Sequence, residues 1–129
     1  EARDLCRRAK AAGVNLMGAD WTNASATLKL ANFHDSGTST AAAATSDTTL
    51  GAQVGSTVRA TGGQSNVNNA YKTSGTINYT ASFGITEWGL FTTSAQAASL
   101  WDRRVFATIN VASADSIVFT YTLTCSAGG

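Results

Sequence analysis

His34, Asp35 and Ser36 stand side by side, and they are the three side-chain types of a serine hydrolase: base, orienting carboxylate and nucleophile. Adjacent residues of an extended chain project to opposite faces, however, and a proton relay needs its members to converge in space. The arrangement therefore argues against hydrolysis, and His34 reads as a turn or strand-end residue. It is also the only histidine, which excludes a histidine-cluster metal site, and Cys6 and Cys125 lack any CxxC spacing. The glycines spell no phosphate-cradling fingerprint. No catalytic residue, metal or cofactor is expected.

Glu87 is the one acid set inside an apolar run, Ile85 to Phe91. Burying an unpaired carboxylate is costly, so a cation must lie close, and Arg103 or Arg104 on the following strand is the natural partner. A structural ion pair is expected rather than a catalytic carboxylate, which would need a second acid. Trp21, Trp88 and Trp101 have the faces to stack on a sugar or a base, but in a small β domain they read as core and interface anchors. Bridging Cys6 to Cys125 would close a very long loop, worth roughly 4–5 kcal/mol by chain entropy. The other reading, two free thiols packed as small hydrophobes, is preferred.

The elements that must position these groups are mostly strands. In Ser116 to Cys125, Ile117, Phe119, Tyr121, Leu123 and Cys125 alternate with Val118 and threonines, the period of a half-buried strand. Ile77, Tyr79, Ala81 and Phe83 alternate likewise, Gly84 interrupts, and Ile85 to Phe91 follows; Leu100 to Val111 supplies another apolar strand. Thr92 to Ser99 reads as a loop and Ala112 to Asp115 as a tight turn. In the other half, Thr27 to Phe33 and Leu50 to Ala60 read as strands, the latter with Arg59 outward. His34 to Thr49 reads as a loop long enough to be functional or fixed by neighbours, and Gly62 to Asn66 as turn chemistry. The absence of proline leaves strands free to pair along their length.

Together these signals predict an all-β protein, an antiparallel β-sandwich or jelly-roll-like domain over residues 33–129, preceded by a helical arm and linker over residues 1–32. The arm is a short α-helix, Glu1 to Ala12, with Ala2, Leu5, Cys6 and Ala9 in one stripe. Arg3, Arg7, Arg8 and Lys10 are four of the chain's nine cations. With Leu5 they form a candidate partner-binding arm, read against an ordinary solvated helix face with internal ion pairs. A helix of about three turns is marginal alone and must dock on something.

Composition bounds the function classes. The 129 residues suffice for one domain. Charged residues are 13%, about half the usual share of about 25%, which leaves little repulsion against self-association. The net charge of +1 disfavours direct nucleic-acid binding as the main task. No apolar run approaches the ~18 residues of a membrane span, and a soluble protein without a membrane role is expected.

Five segments carry a family resemblance: His34 to Thr38, Val58 to Gly62, Gly84 to Phe91, Trp101 to Ala107, and Asp115 to Gly129. Over roughly residues 33–129 the chain resembles a family of small virion proteins of tailed bacteriophages. The most specific pieces are Ile85-Thr86-Glu87-Trp88-Gly89-Leu90-Phe91 and Asp102-Arg103-Arg104-Val105-Phe106, and the first also resembles a module of phage tail fibres and collars. The resemblance implies a non-enzymatic structural protein, made in the bacterial host cytoplasm and placed in the virion. By analogy it is a homotrimeric capsid decoration or cement protein that clamps neighbouring capsomers of the major capsid protein. The alternative is a tail, collar or fibre-adaptor protein with tail or neck partners.

Overall fold

A computed structural model describes residues 28–55, 58–67 and 69–124. The chain enters through a 3-10 turn, Leu28–Leu30, and then forms seven strands: β1 (Phe33–Gly37), β2 (Ala60–Thr61), β3 (Gly63–Val67), β4 (Ala70–Asn78), β5 (Phe83–Phe91), β6 (Leu100–Val111) and β7 (Ser116–Thr124). They make two antiparallel sheets, one in the order β2-β1-β5-β6 and the other β3-β4-β7. The described protein is therefore all-β. The expected helical arm, with Arg3, Leu5, Arg7, Arg8 and Lys10, lies outside the described residues, as do Cys6, Trp21 and Cys125.

The strongly periodic segments form strands where the alternation places them. On β7 burial alternates residue by residue, with Tyr121 and Leu123 buried and Val118, Thr120 and Thr122 exposed. Trp88 of β5 stacks on Phe119 and Tyr121 of β7, with ring centroids 6.1 and 5.7 Å apart, and the Trp101 indole donates to the Tyr121 hydroxyl at 3.2 Å. These contacts pack the two sheets face to face. Ala31 joins this cluster, so residues just before β1 belong to the folded unit.

Other segments differ from the sequence-based expectation. The alternation from Ile77 to Phe83 is not one kinked strand: β4 ends at Asn78, and the chain crosses to the other sheet before β5 begins at Phe83. Tyr79 at the crossing is buried, its backbone bonded to Asp115 and Ala114 of the β6–β7 turn. The expected strand Thr27 to Phe33 gives way, among its described residues, to the 3-10 turn, and His34 to Gly37 form β1 instead of a loop. Gly63 to Val67 pair with β4 as a short strand rather than a turn. Around Val54 and Val58 there are isolated bridges in place of a strand, and Arg59 is buried, not outward.

One irregularity sets up the site. The β5–β6 register shifts between Ile85 and Glu87, a bulge of the kind that re-aims a side chain. Ile85 accordingly packs between the sheets with Tyr79 and Val111, whereas Glu87 turns to the outer face of its sheet.

Candidate functional site

That outer face of β1-β5-β6 is covered by irregular segments, residues 38–55, 58–59 and 92–99, and Asp35, Glu87 and Arg103 lie buried beneath them. Glu87 is fully buried. Its Oε2 accepts from Arg103 Nε at 2.8 Å and from the Gly51 amide at 3.0 Å, and its Oε1 accepts from the amides of Ala52 at 2.7 Å and Ser39 at 3.3 Å. Arg103 continues the network: its Nη1 reaches Asp47 Oδ2 at 3.1 Å and its Nη2 donates to the Ala41 carbonyl at 3.0 Å. Burial acts to lower the Arg103 guanidinium, but Glu87 and Asp47 outweigh it and hold the pKa above its ordinary value. Gly37 is required beneath this cover, because a Cβ there would collide with the Ala52 carbonyl and Glu87 Oε1.

The sequence-predicted trio Glu87, Arg103 and Arg104 is thus divided by the structure. Arg103 faces Glu87; Arg104, one residue on, projects from the other side of β6 and is exposed. Period-two geometry permits only one of two adjacent arginines to share the face of Glu87.

A second charged anchor, Arg59, holds residues 92–99. Its Nη1 donates to the carbonyls of Thr93 at 3.1 Å and Ala95 at 2.6 Å and to Ser99 Oγ at 3.1 Å, and its Nη2 donates to the Ala97 carbonyl at 2.9 Å. The guanidinium lies 3.5 Å over the centre of the Phe91 ring, a cation–π placement. Asp35 stands 3.7 Å from Arg59 Nε and accepts from Gln96 at 2.8 Å. Burial pushes the Asp35 carboxyl up, opposed by Gln96, the Ser36 amide and Arg59, and burial likewise lowers Arg59. Arg59 carried no signal beyond its charge, which in an apparent strand argued for solvent.

On the inner face, His34 and Ser36 are both fully buried. Ser36 Oγ bonds the Tyr79 hydroxyl at 2.8 Å, and the His34 ring bonds Trp88 and Thr73. Asp35 points to the opposite face. The three hydrolase residue types are therefore parted by the sheet itself, each with a structural partner. Trp88 and Trp101 are buried too, so neither offers an open face for a sugar or base.

At one side of the molecule β6 and β7 are the outer strands of their sheets, with no further strand beside them among the described residues. Between them run two adjoining clefts of about 660 and 360 Å³ that share Arg104, Tyr121 and Thr122, the smaller floored by Trp88, Phe106 and Phe119. Of the exposed positions on the two strands only Arg104 is charged, and Val118 and Ile109 are 62% and 43% exposed. The opposite edges are short, two residues in β2 and five in β3.

Among the described residues no group of three or more His, Cys, Asp or Glu is placed to hold a metal ion, and no helix is long and apolar enough to cross a membrane. No family model matches the chain, and searches of curated proteins and of solved structures return no match.

Proposed function

We propose that the chain is a non-enzymatic structural protein of a tailed-phage virion, a β-sandwich that decorates the capsid and clamps neighbouring subunits of the major capsid protein. The observation that carries an assembly role is the β6/β7 side. Natural proteins blunt free edges with short strands, charges or proline, and the β2/β3 side follows that rule by shortness. The β6/β7 side presents β6 beyond its four buried first residues, from Arg104 to Asn110, and the nine residues of β7, with one exposed charge, a surface suited to backbone pairing with another chain. The family resemblance supports a virion as the setting, and the sparse charge of the whole chain supports a crowded one.

Cryo-electron microscopy of intact particles tests the reading. Density for this chain over capsid faces or symmetry axes, with β6 or β7 against a neighbouring chain, is the expected result. Density confined to tail or neck would replace the capsid assignment with the adaptor alternative, and absence from particles would end both. Thr122→Lys on the β7 edge is expected to leave the isolated protein folded and lower its occupancy on particles at least tenfold.

A further inference from the structure

His34 anchors no loop and lies away from the open strands, yet each ring nitrogen has a partner. Trp88 Nε1–H donates to His34 Nδ1 at 3.1 Å, and an indole nitrogen can only donate. The neutral ring must then carry its proton on Nε2, which donates to Thr73 Oγ1 at 3.0 Å. The Thr73 hydroxyl donates to Asn32 Oδ1 at 2.6 Å, and the Asn32 amide donates to the Gly62 carbonyl at 2.8 Å. This one-directional series runs from β5 through β1 to β4, joining the two sheets. The ring cannot swing aside, since Gly62 and Gly75 approach it so closely that a Cβ at either would strike it.

A proton added at Nδ1 would set two N–H groups against each other across that 3.1 Å contact. Nothing around the ring offers a compensating charge. On β1, Asp35 faces away toward Arg59 and Gln96, and Ser36 is taken by Tyr79. On β4 the neighbours are Thr73 and Gly75, with Lys72 exposed on the other face; on β5, Glu87 turns outward to Arg103. From β7, Tyr121 stacks on Trp88, and burial pushes its phenol up to about 12, so it stays neutral.

We propose that His34 is an acid-sensitive latch in the core: neutral, it ties β5 to β4 through β1, and protonated at Nδ1 it loses the Trp88 bond and leaves an uncompensated charge between the two sheets, which destabilises the folded state. Burial lowers the ring from its ordinary 6.5 to about 4, in keeping with this geometry. The unfolded chain takes up the proton first, so the stability the latch supplies is complete above about pH 6.5 and withdrawn as pH falls toward 4. At pH 5 the folded-to-unfolded ratio is expected to be roughly 30-fold lower than at pH 8 from this group alone.

Because the chain holds one histidine, the imidazole nitrogen signals of the full-length, ¹⁵N-labelled protein need no assignment. Followed from pH 8 to pH 4, they are expected to report the Nε2–H tautomer, to stay neutral well below pH 6, and to protonate together with loss of the indole N–H signal in contact with the ring. The opposite tautomer, titration near pH 6.5 with the folded spectrum kept, or protonation that leaves that indole signal in place would overturn the latch. In parallel, denaturant unfolding at pH 8 and pH 5 is expected to show the roughly 30-fold loss in the wild type and not in His34→Gln. Equal losses would overturn it, and if the variant does not fold the wild-type titration decides.

Discussion

Over β1, β5 and the start of β6 both faces of the sheet are buried, and they are built from different chemistry because they are covered by different things. Against the inner face lies another sheet, whose backbone groups are largely spent on its own ladder. What remains to satisfy is mainly apolar surface and neutral side chains: Trp88 on Phe119 and Tyr121, Ser36 on Tyr79, His34 on Thr73, with Asp102 buried beside Tyr121 as an exception. Against the outer face lie irregular segments whose amides and carbonyls have no ladder, and a buried unpaired backbone group costs about as much as a lost hydrogen bond. There charged side chains meet the loop backbone, beside an apolar cluster of Leu50, Phe91 and Leu100. Glu87 takes amides from three loop residues, and Arg59 takes carbonyls from three more. Among the described residues Glu87, Arg103, Asp35 and Arg59 are buried charges held where the sheet is roofed by loops, whereas Asp102 is buried beside Tyr121.

The contrast can be broken most severely at Glu87. Glu87→Ala strands Arg103 and three loop amides and is expected to cost about 3–5 kcal/mol in denaturant unfolding. Amide exchange at Gly51 and Ala52 should rise far more than on β7; a cost below about 0.5 kcal/mol would remove the anchor from the account. Arg59→Met keeps an apolar stem over Phe91 but frees the carbonyls of residues 93–97, for an expected loss of about 2–4 kcal/mol. Its signature is exchange confined to 92–99 and neighbouring segments, and a protein that unfolds as one unit would contradict the local role. On the inner face Ser36→Ala deletes one neutral bond and leaves the Tyr79 hydroxyl unpaired, for about 1–2 kcal/mol. A Ser36 effect equal to that of Glu87 would erase the distinction between the faces.

The same distinction explains what could be read from the chain alone. Strands β5, β6 and β7 carry period-two or continuous apolar patterns, and their positions follow from those patterns. Strand β1 is buried on both faces yet spelled His34-Asp35-Ser36-Gly37, residues whose local chemistry favours turns, so only its partners on either side reveal it. Strand β3 is short and fully exposed and has no hydrophobic signal to give. The Glu87–Arg103 pair was legible because an acid inside an apolar run demands a cation nearby. Arg103 could not be separated from Arg104 without the register, and Arg59 stayed hidden because its partners are backbone carbonyls, which look alike in any sequence.

The placement of β1 also sets an order in time. Strands β5 and β6 meet across one short connection, a cheap and early closure, whereas β1 pairs Phe33 with Phe91 and Gly37 with Glu87, far along the chain. Long-range closures are entropically slow, so β1, an inner strand of its sheet, is expected to join after β5 and β6 have met. Bonds made by β1 are then absent from the rate-limiting barrier, and weakening them speeds escape without slowing arrival. The Ser36→Ala chevron should accordingly move along its unfolding arm, and the lifetime of the folded protein is held by a strand that its folding rate barely senses.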